Sequence, residues 1–164
     1  FAAEKGLEPQ VVEWFSQNLR NAPVKPVAAP PSPPTPTEQF WITLTSPGGV
    51  AKARQIYDEA KLAKKGQALF PENETNLFGY ELLQNGNAKD AVEVFKMNVE
   101  AFPASANTYD SLSDGYLALG NREEALRYAE KTLEMLPKDT QAPEEFKARI
   151  RESAEKKIKE LRKQ

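Results

Sequence analysis

The chain of 164 residues contains no histidine and no cysteine. Those two absences remove the imidazole base, the thiol nucleophile and the commonest transition-metal ligands together, and they put a Ser-His-Asp triad out of reach within the chain. No glycine-rich phosphate loop of the P-loop or dinucleotide type is present, and no apolar run approaches the roughly 18 residues that spanning a bilayer requires. A strong charge of one sign is lacking as well. The formal net charge of −2 gives no long-range attraction to nucleic acid or to an acidic membrane surface. Only the stretch from Glu144 to Lys163 is locally basic, with eight Lys/Arg against five Asp/Glu, a mixture that suits a solvated helix face. We therefore expect no catalytic residue, no metal site, no cofactor, no nucleic-acid partner and no membrane partner for this chain. With no cysteine to read, the redox compartment stays undetermined.

What is present is organised in blocks. The 28% charged and 40% hydrophobic content suits a globular domain with a packed core. Residues 1–22 predict one short helix: Pro9 fits a first helical turn, and Val11, Val12, Phe15 and Leu19 share a stripe with Trp14 at its edge. This helix either caps the helical repeats further along the chain or ends a domain lying upstream. From Pro23 to Pro36 seven of fourteen residues are proline, which predicts a semi-rigid polyproline linker over 23–37, reaching on the order of 40 Å at about 3.1 Å per residue. The aromatic and β-branched Phe40 to Thr45 favours an extended segment lying flat on a helix. Ser46 and Pro47 then read as an N-cap and first-turn pair, opening a helix to about Leu69 with Val50, Ala53, Tyr57, Ala60 and Ala63 or Lys64 on one face.

The strongest signal is an internal repeat. At an offset of 34 residues Leu83 pairs with Leu117, Gly86 with Gly120, Asn87 with Asn121, Ala91 with Ala125, Glu100 with Glu134 and Pro103 with Pro137. Each unit, about 72–105 and 106–139, predicts a first helix (Glu74 to Gln84, then Ala106 to Leu119), a Gly-Asn turn, a second helix (Lys89 to Ala101, then Glu123 to Met135) and a proline stop. Phe78, Leu112 and Phe146 continue the phase, as do Leu82, Tyr116 and Ile150, so a third first-type helix over about 143–163 is expected to cap the stack. The 46–69 helix, closed by Phe70-Pro71, reads as the second helix of a degenerate unit ahead of the two.

Gly79, Ala91, Phe95 and Pro103 in the first unit, and Tyr109, Leu112, Tyr116, Ala125 and Pro137 in the second, resemble the tetratricopeptide (TPR) pattern W-x2-L-G-x2-Y, A-x3-F, P. Asn98, Thr132 and Ser113 depart from it where the family has small residues. The resemblance implies an all-α, right-handed solenoid of helical hairpins over residues 38–164, acting in protein-protein interaction. It also maps a ligand groove onto the first helices, at Asn73, Asn76, Tyr80 and Leu83, then Asn107, Asp110, Asp114 and Leu117. Two acids and paired amides there suit a polar or basic peptide; the alternative is a face that is hydrated or covered by the chain's own N-terminal segment. Gly79-Tyr80-x-Leu82-Leu83, Phe95-x-x-Asn98-x-x-x-Phe102-Pro103 and Asn107-x-Tyr109-Asp110-Ser111-Leu112 further resemble C-terminal tails of bacterial serine hydrolases of the α/β-hydrolase and beta-lactamase-like kinds. Glu13-Trp14-Phe15-x-x-x-Leu19 is similar to the last helix of an α/β-hydrolase domain. The implied role is a non-catalytic accessory domain whose partner is its own upstream catalytic domain or another protein. An independent adaptor, and a homodimeriser using an exposed Phe40 to Leu44, are the competing expectations. The chain opens at Phe1 without a methionine or a signal-like stretch, so a fragment or processed product is expected, extracytoplasmic only if a signal peptide lies further upstream.

Overall fold

A computed structural model describes residues 32–63 and 69–163. The expected helix over 1–22, most of the proline-rich segment and Lys64 lie outside the described residues. Among the described residues the chain is all-helical, with seven helices and no strand: α1 (Pro36–Leu44), α2 (Val50–Leu62), α3 (Glu72–Gln84), α4 (Ala88–Ala101), α5 (Ala106–Ala118), α6 (Arg122–Met135) and α7 (Glu144–Arg162).

α1 corrects two expectations. Residues 40–44 are helical and not extended, because Thr35 and Glu38 form a complete capping box and Pro36 occupies the first helical position. Glu38 N donates to Thr35 Oγ1 at 3.2 Å and Thr35 N to Glu38 Oε2 at 2.7 Å, and this local start signal overrides the β-propensity of the residues after it. The helix also places Phe40 and Leu44 in the core, at 0% and 1% exposure, and leaves Ile42 exposed. Ser46 does not cap the next helix. Its hydroxyl donates back to Ile42 O, and α2 starts four residues later behind Gly49.

The predicted turns form in duplicate. Gly86 and Gly120 adopt φ of 77° and 80°, the left-handed region that a side chain disfavours. Around each, the same two hydrogen bonds close a Schellman motif: Asn87 N to Leu82 O and Gly86 N to Leu83 O, then Asn121 N to Tyr116 O and Gly120 N to Leu117 O. Each turn lets the following helix fold back on the preceding one, so α3 packs on α4 and α5 on α6. α4 also packs on α5, and α6 on α7.

Three apolar clusters fill the space between. Phe40, Tyr57 and Phe70 join Val94 and Met97 to hold α1 and α2 on α4. Phe95, Leu112, Tyr116 and Ala125 hold α3 to α6 together. Ala106, Leu136 and Ile150 seat α7. Phe95 is fully buried between Gly79 of α3 and Gly115 of α5: a Cβ on Gly79 would stand 2.3 Å from the ring, and one on Gly115 2.9 Å from it. Outside this core, Arg54 of α2 reaches Glu100 of α4 with two nitrogens at 2.8 and 3.1 Å, and Lys61 joins the same carboxylate at 2.6 Å.

Candidate functional site

The eight expected groove residues have different fates. Tyr80, Asp110 and Asp114 converge. The Tyr80 hydroxyl on α3 donates to Asp114 Oδ2 on α5 at 2.9 Å, across one 34-residue interval, with Ser111 Oγ 3.3 Å away. From α7, Lys157 Nζ then closes the set, donating to Asp110 Oδ1 at 2.9 Å, to Asp110 O at 3.0 Å and to Asp114 Oδ1 at 2.7 Å. All three ammonium protons are used. Ser153, one turn earlier on α7, donates to Asp110 Oδ2 at 3.1 Å. The side chains of Lys157 and Asp110 are only 9% and 11% exposed, so this is a buried ion pair with satisfied lone pairs.

This arrangement decides what the two acids can do. They do not form a solvated pair: the C-terminal helix covers them and delivers the cation that a ligand would otherwise have supplied. Burial raises the Asp110 carboxyl above its ordinary range, with Lys157 pulling against the rise. Burial, with the Asp114 charge next, likewise raises the Tyr80 phenol, which stays protonated and acts as a donor. A carboxylate locked to an ammonium in this way braces three helices.

The other five residues are not brought into that cluster. Leu83 packs into the second apolar cluster, and Leu117 is 39% exposed beside a small recess of about 290 Å³ at the far end of α5 and α7. Asn76 is partly buried, with its Oδ1 unpaired. Asn107 Nδ2 donates to Glu72 Oε1 at 3.1 Å, an oxygen that also accepts from Ser105 Oγ at 2.9 Å. Asn73 is exposed and lines a cleft of about 620 Å³, larger than the recess and set between the starts of α3, α5 and α7.

That cleft was not legible beforehand. Its walls are Phe102, Pro103, Pro143 and Phe146, and its acids are Glu72 and Asp139. Asp139 is 3% exposed; its oxygens accept backbone N–H groups from Ala106, Gln141 and Ala142 at 3.0, 3.1 and 3.0 Å, closing the open start of α5. No family model matches the chain, and no curated protein matches it. Among the described residues no cluster of acids could hold a metal ion, and no helix is long and apolar enough to cross a membrane.

Sequence reasoning missed Lys157, Ser153, Glu72 and Asp139 as members of either arrangement. One signal did exist for Lys157. It stands three residues after Ala154 and four before Leu161, inside the apolar stripe that continues from Ile150, and a lysine at such a position needs a buried acid.

Proposed function

We propose that this chain is a non-catalytic protein-protein interaction and scaffolding domain, built as a tetratricopeptide-like array of helical hairpins and serving as the C-terminal accessory part of a bacterial hydrolase. The observation that carries the array is the recurrence of geometry at 34 residues: the two Schellman turns at Gly86 and Gly120, and the Tyr80 to Asp114 bond between corresponding positions of successive units. Packing of α3 against α5 and of α5 against α7 supports the same reading, since first helices neighbour one another in such a stack. The α1–α2 pair ahead of α3 supports a degenerate leading unit, and α7 supports a cap whose outer face is charged.

The interaction role rests on where chemistry is spent. Asp110 and Asp114 on the first-helix face serve to join helices, while a cleft of about 620 Å³ with apolar walls lies apart from them. The hydrolase assignment rests on the residue resemblance alone, with any nucleophile, acid and histidine lying upstream of Phe1. Two measurements test the reading. The purified chain should show no ester or peptide turnover above buffer; turnover that stays with the chain through successive columns would overturn it. The reading frame upstream of Phe1 should encode a G-x-S-x-G nucleophile elbow or another serine-hydrolase signature. A frame encoding an unrelated domain would remove the hydrolase part and leave the interaction part standing.

A further inference from the structure

Four acids in and beside the first helices fall into two sets. Asp110 and Asp114 share Lys157, with Nζ to oxygen distances of 2.9 and 2.7 Å. Glu72 and Asp139, in the cleft, have no ion-pair partner among the described residues, and no Lys or Arg lines that cleft. Lys147 reaches only the backbone carbonyl of Asp139, at 3.1 Å, and pairs with Glu144. Asp139 is occupied by the three backbone N–H groups it accepts, so its charge is largely committed to the start of α5. Glu72 differs. Its Oε1 accepts two neutral donors, Ser105 Oγ and Asn107 Nδ2, which fix the carboxylate in place, while Oε2 has no hydrogen-bond partner among the described residues. A carboxylate held still by two donors, with one oxygen unused and no cation paired to it, presents a preoriented acceptor for an incoming cation.

The walls add the second half of the recognition. Phe102 and Phe146 are each only partly buried, although Phe102 rests on the buried Phe70 with ring centroids 6.2 Å apart and is thereby held in position. A volume of about 620 Å³ accommodates roughly two or three side chains of an extended segment.

We propose that this cleft docks an extended basic peptide, seating one apolar side chain between Phe102 and Phe146 and the adjoining Arg or Lys on Glu72. The inference rests on the reading of the chain as an interaction module and assigns that module a surface and a ligand chemistry. The mid-groove acids cannot serve the same peptide, because Lys157 already fills their place.

The test is a ¹⁵N NMR titration of the full chain with two blocked tetrapeptides, acetyl-Gly-Phe-Arg-Gly-amide and acetyl-Gly-Phe-Glu-Gly-amide. The Phe-Arg peptide should shift the amides of Ala104, Ser105, Gln141 and Phe146, and its affinity should fall with added salt. Glu72→Gln should weaken it by about tenfold, the scale of one lost charge-assisted hydrogen bond. Asn73→Lys, at an exposed position beside the cleft, should weaken it by repulsion without disturbing the fold. Equal or tighter binding of the Phe-Glu peptide, or unchanged affinity in both variants, would overturn the proposal. Shifts confined to the Tyr80 to Leu117 face would overturn it while leaving the interaction module intact. Absence of any shift at millimolar peptide would overturn it as well, and the module reading then stands or falls on turnover by the chain and on the upstream frame.

Discussion

Replacing Lys157 by methionine keeps most of the side-chain volume and removes only the ammonium, so its effect isolates the charge that joins α7 to α5. The change strands Asp110, with an 11% exposed side chain, and Asp114, with a 30% exposed one. Removing one partner of a buried pair costs roughly 3–5 kcal/mol. Here the lower end applies, because Asp114 is partly solvated and keeps the Tyr80 hydroxyl, and Asp110 keeps Ser153. We expect a loss of about 3 kcal/mol at pH 7, or on the order of 10 °C in Tm for a domain of this size. Urea and thermal unfolding followed by circular dichroism would measure it. The sign with pH is also fixed. Burial raises the Asp110 carboxyl, and losing Lys157 raises it further, so the folded variant takes up a proton more readily than the unfolded chain. Its deficit relative to wild type should therefore shrink as pH falls from 7 toward about 4. Adding Asp110→Asn to the variant should recover about 1–2 kcal/mol. A loss under about 0.5 kcal/mol, or a deficit that grows on acidification, would refute the buried bridge.

Other residues give independent tests. Gly86→Ala and Gly120→Ala should each destabilise by about 1 kcal/mol through forced positive φ, and the two losses should add, which chemical denaturation of the single and double variants measures. Gly79→Ala should cost about 2–3 kcal/mol because its Cβ meets the Phe95 ring, and Phe95→Leu in the same chain should cost less than the sum of the two single changes. Burial pushes the Glu100 carboxyl up, but Lys61 and Arg54 pull it further down, so it ends below the usual range. Its contribution to stability is thus present above the unfolded carboxylate value and lost as pH falls through the lower folded value. Glu100→Gln should cost about 1 kcal/mol at pH 7 and almost nothing near pH 3, as read from unfolding midpoints at the two pH values.

The sequence made some of this architecture legible, and for physical reasons. Turns that need a left-handed residue leave a glycine behind, so Gly86 and Gly120 marked both helix ends, and the 3.6-residue stripes placed α3 to α7 to within a few residues, while the helix expected over 46–69 is the shorter Val50–Leu62. α1 was misread because its propensity and its cap disagree. Phe40 to Thr45 favours an extended chain locally, but the Thr35 and Glu38 box supplies the start, and burial of Phe40 against Phe70, with ring centroids 5.0 Å apart, supplies the tertiary gain. The site was harder to foresee. Spacing along α5 correctly put Asp110 and Asp114 on one face, but what a face meets depends on which helix arrives there. Lys157 lies 47 residues beyond Asp110, a separation on which no local rule bears. The cleft depends on three loops whose relation is set only by packing.

Selection of a random peptide library displayed on phage against the immobilised full chain tests most directly whether this is a docking module. Sequences pairing an apolar residue with an adjacent Arg or Lys should be enriched, should compete with one another and should be weakened by Glu72→Gln. No enrichment over an unrelated helical protein of similar size would contradict a docking role.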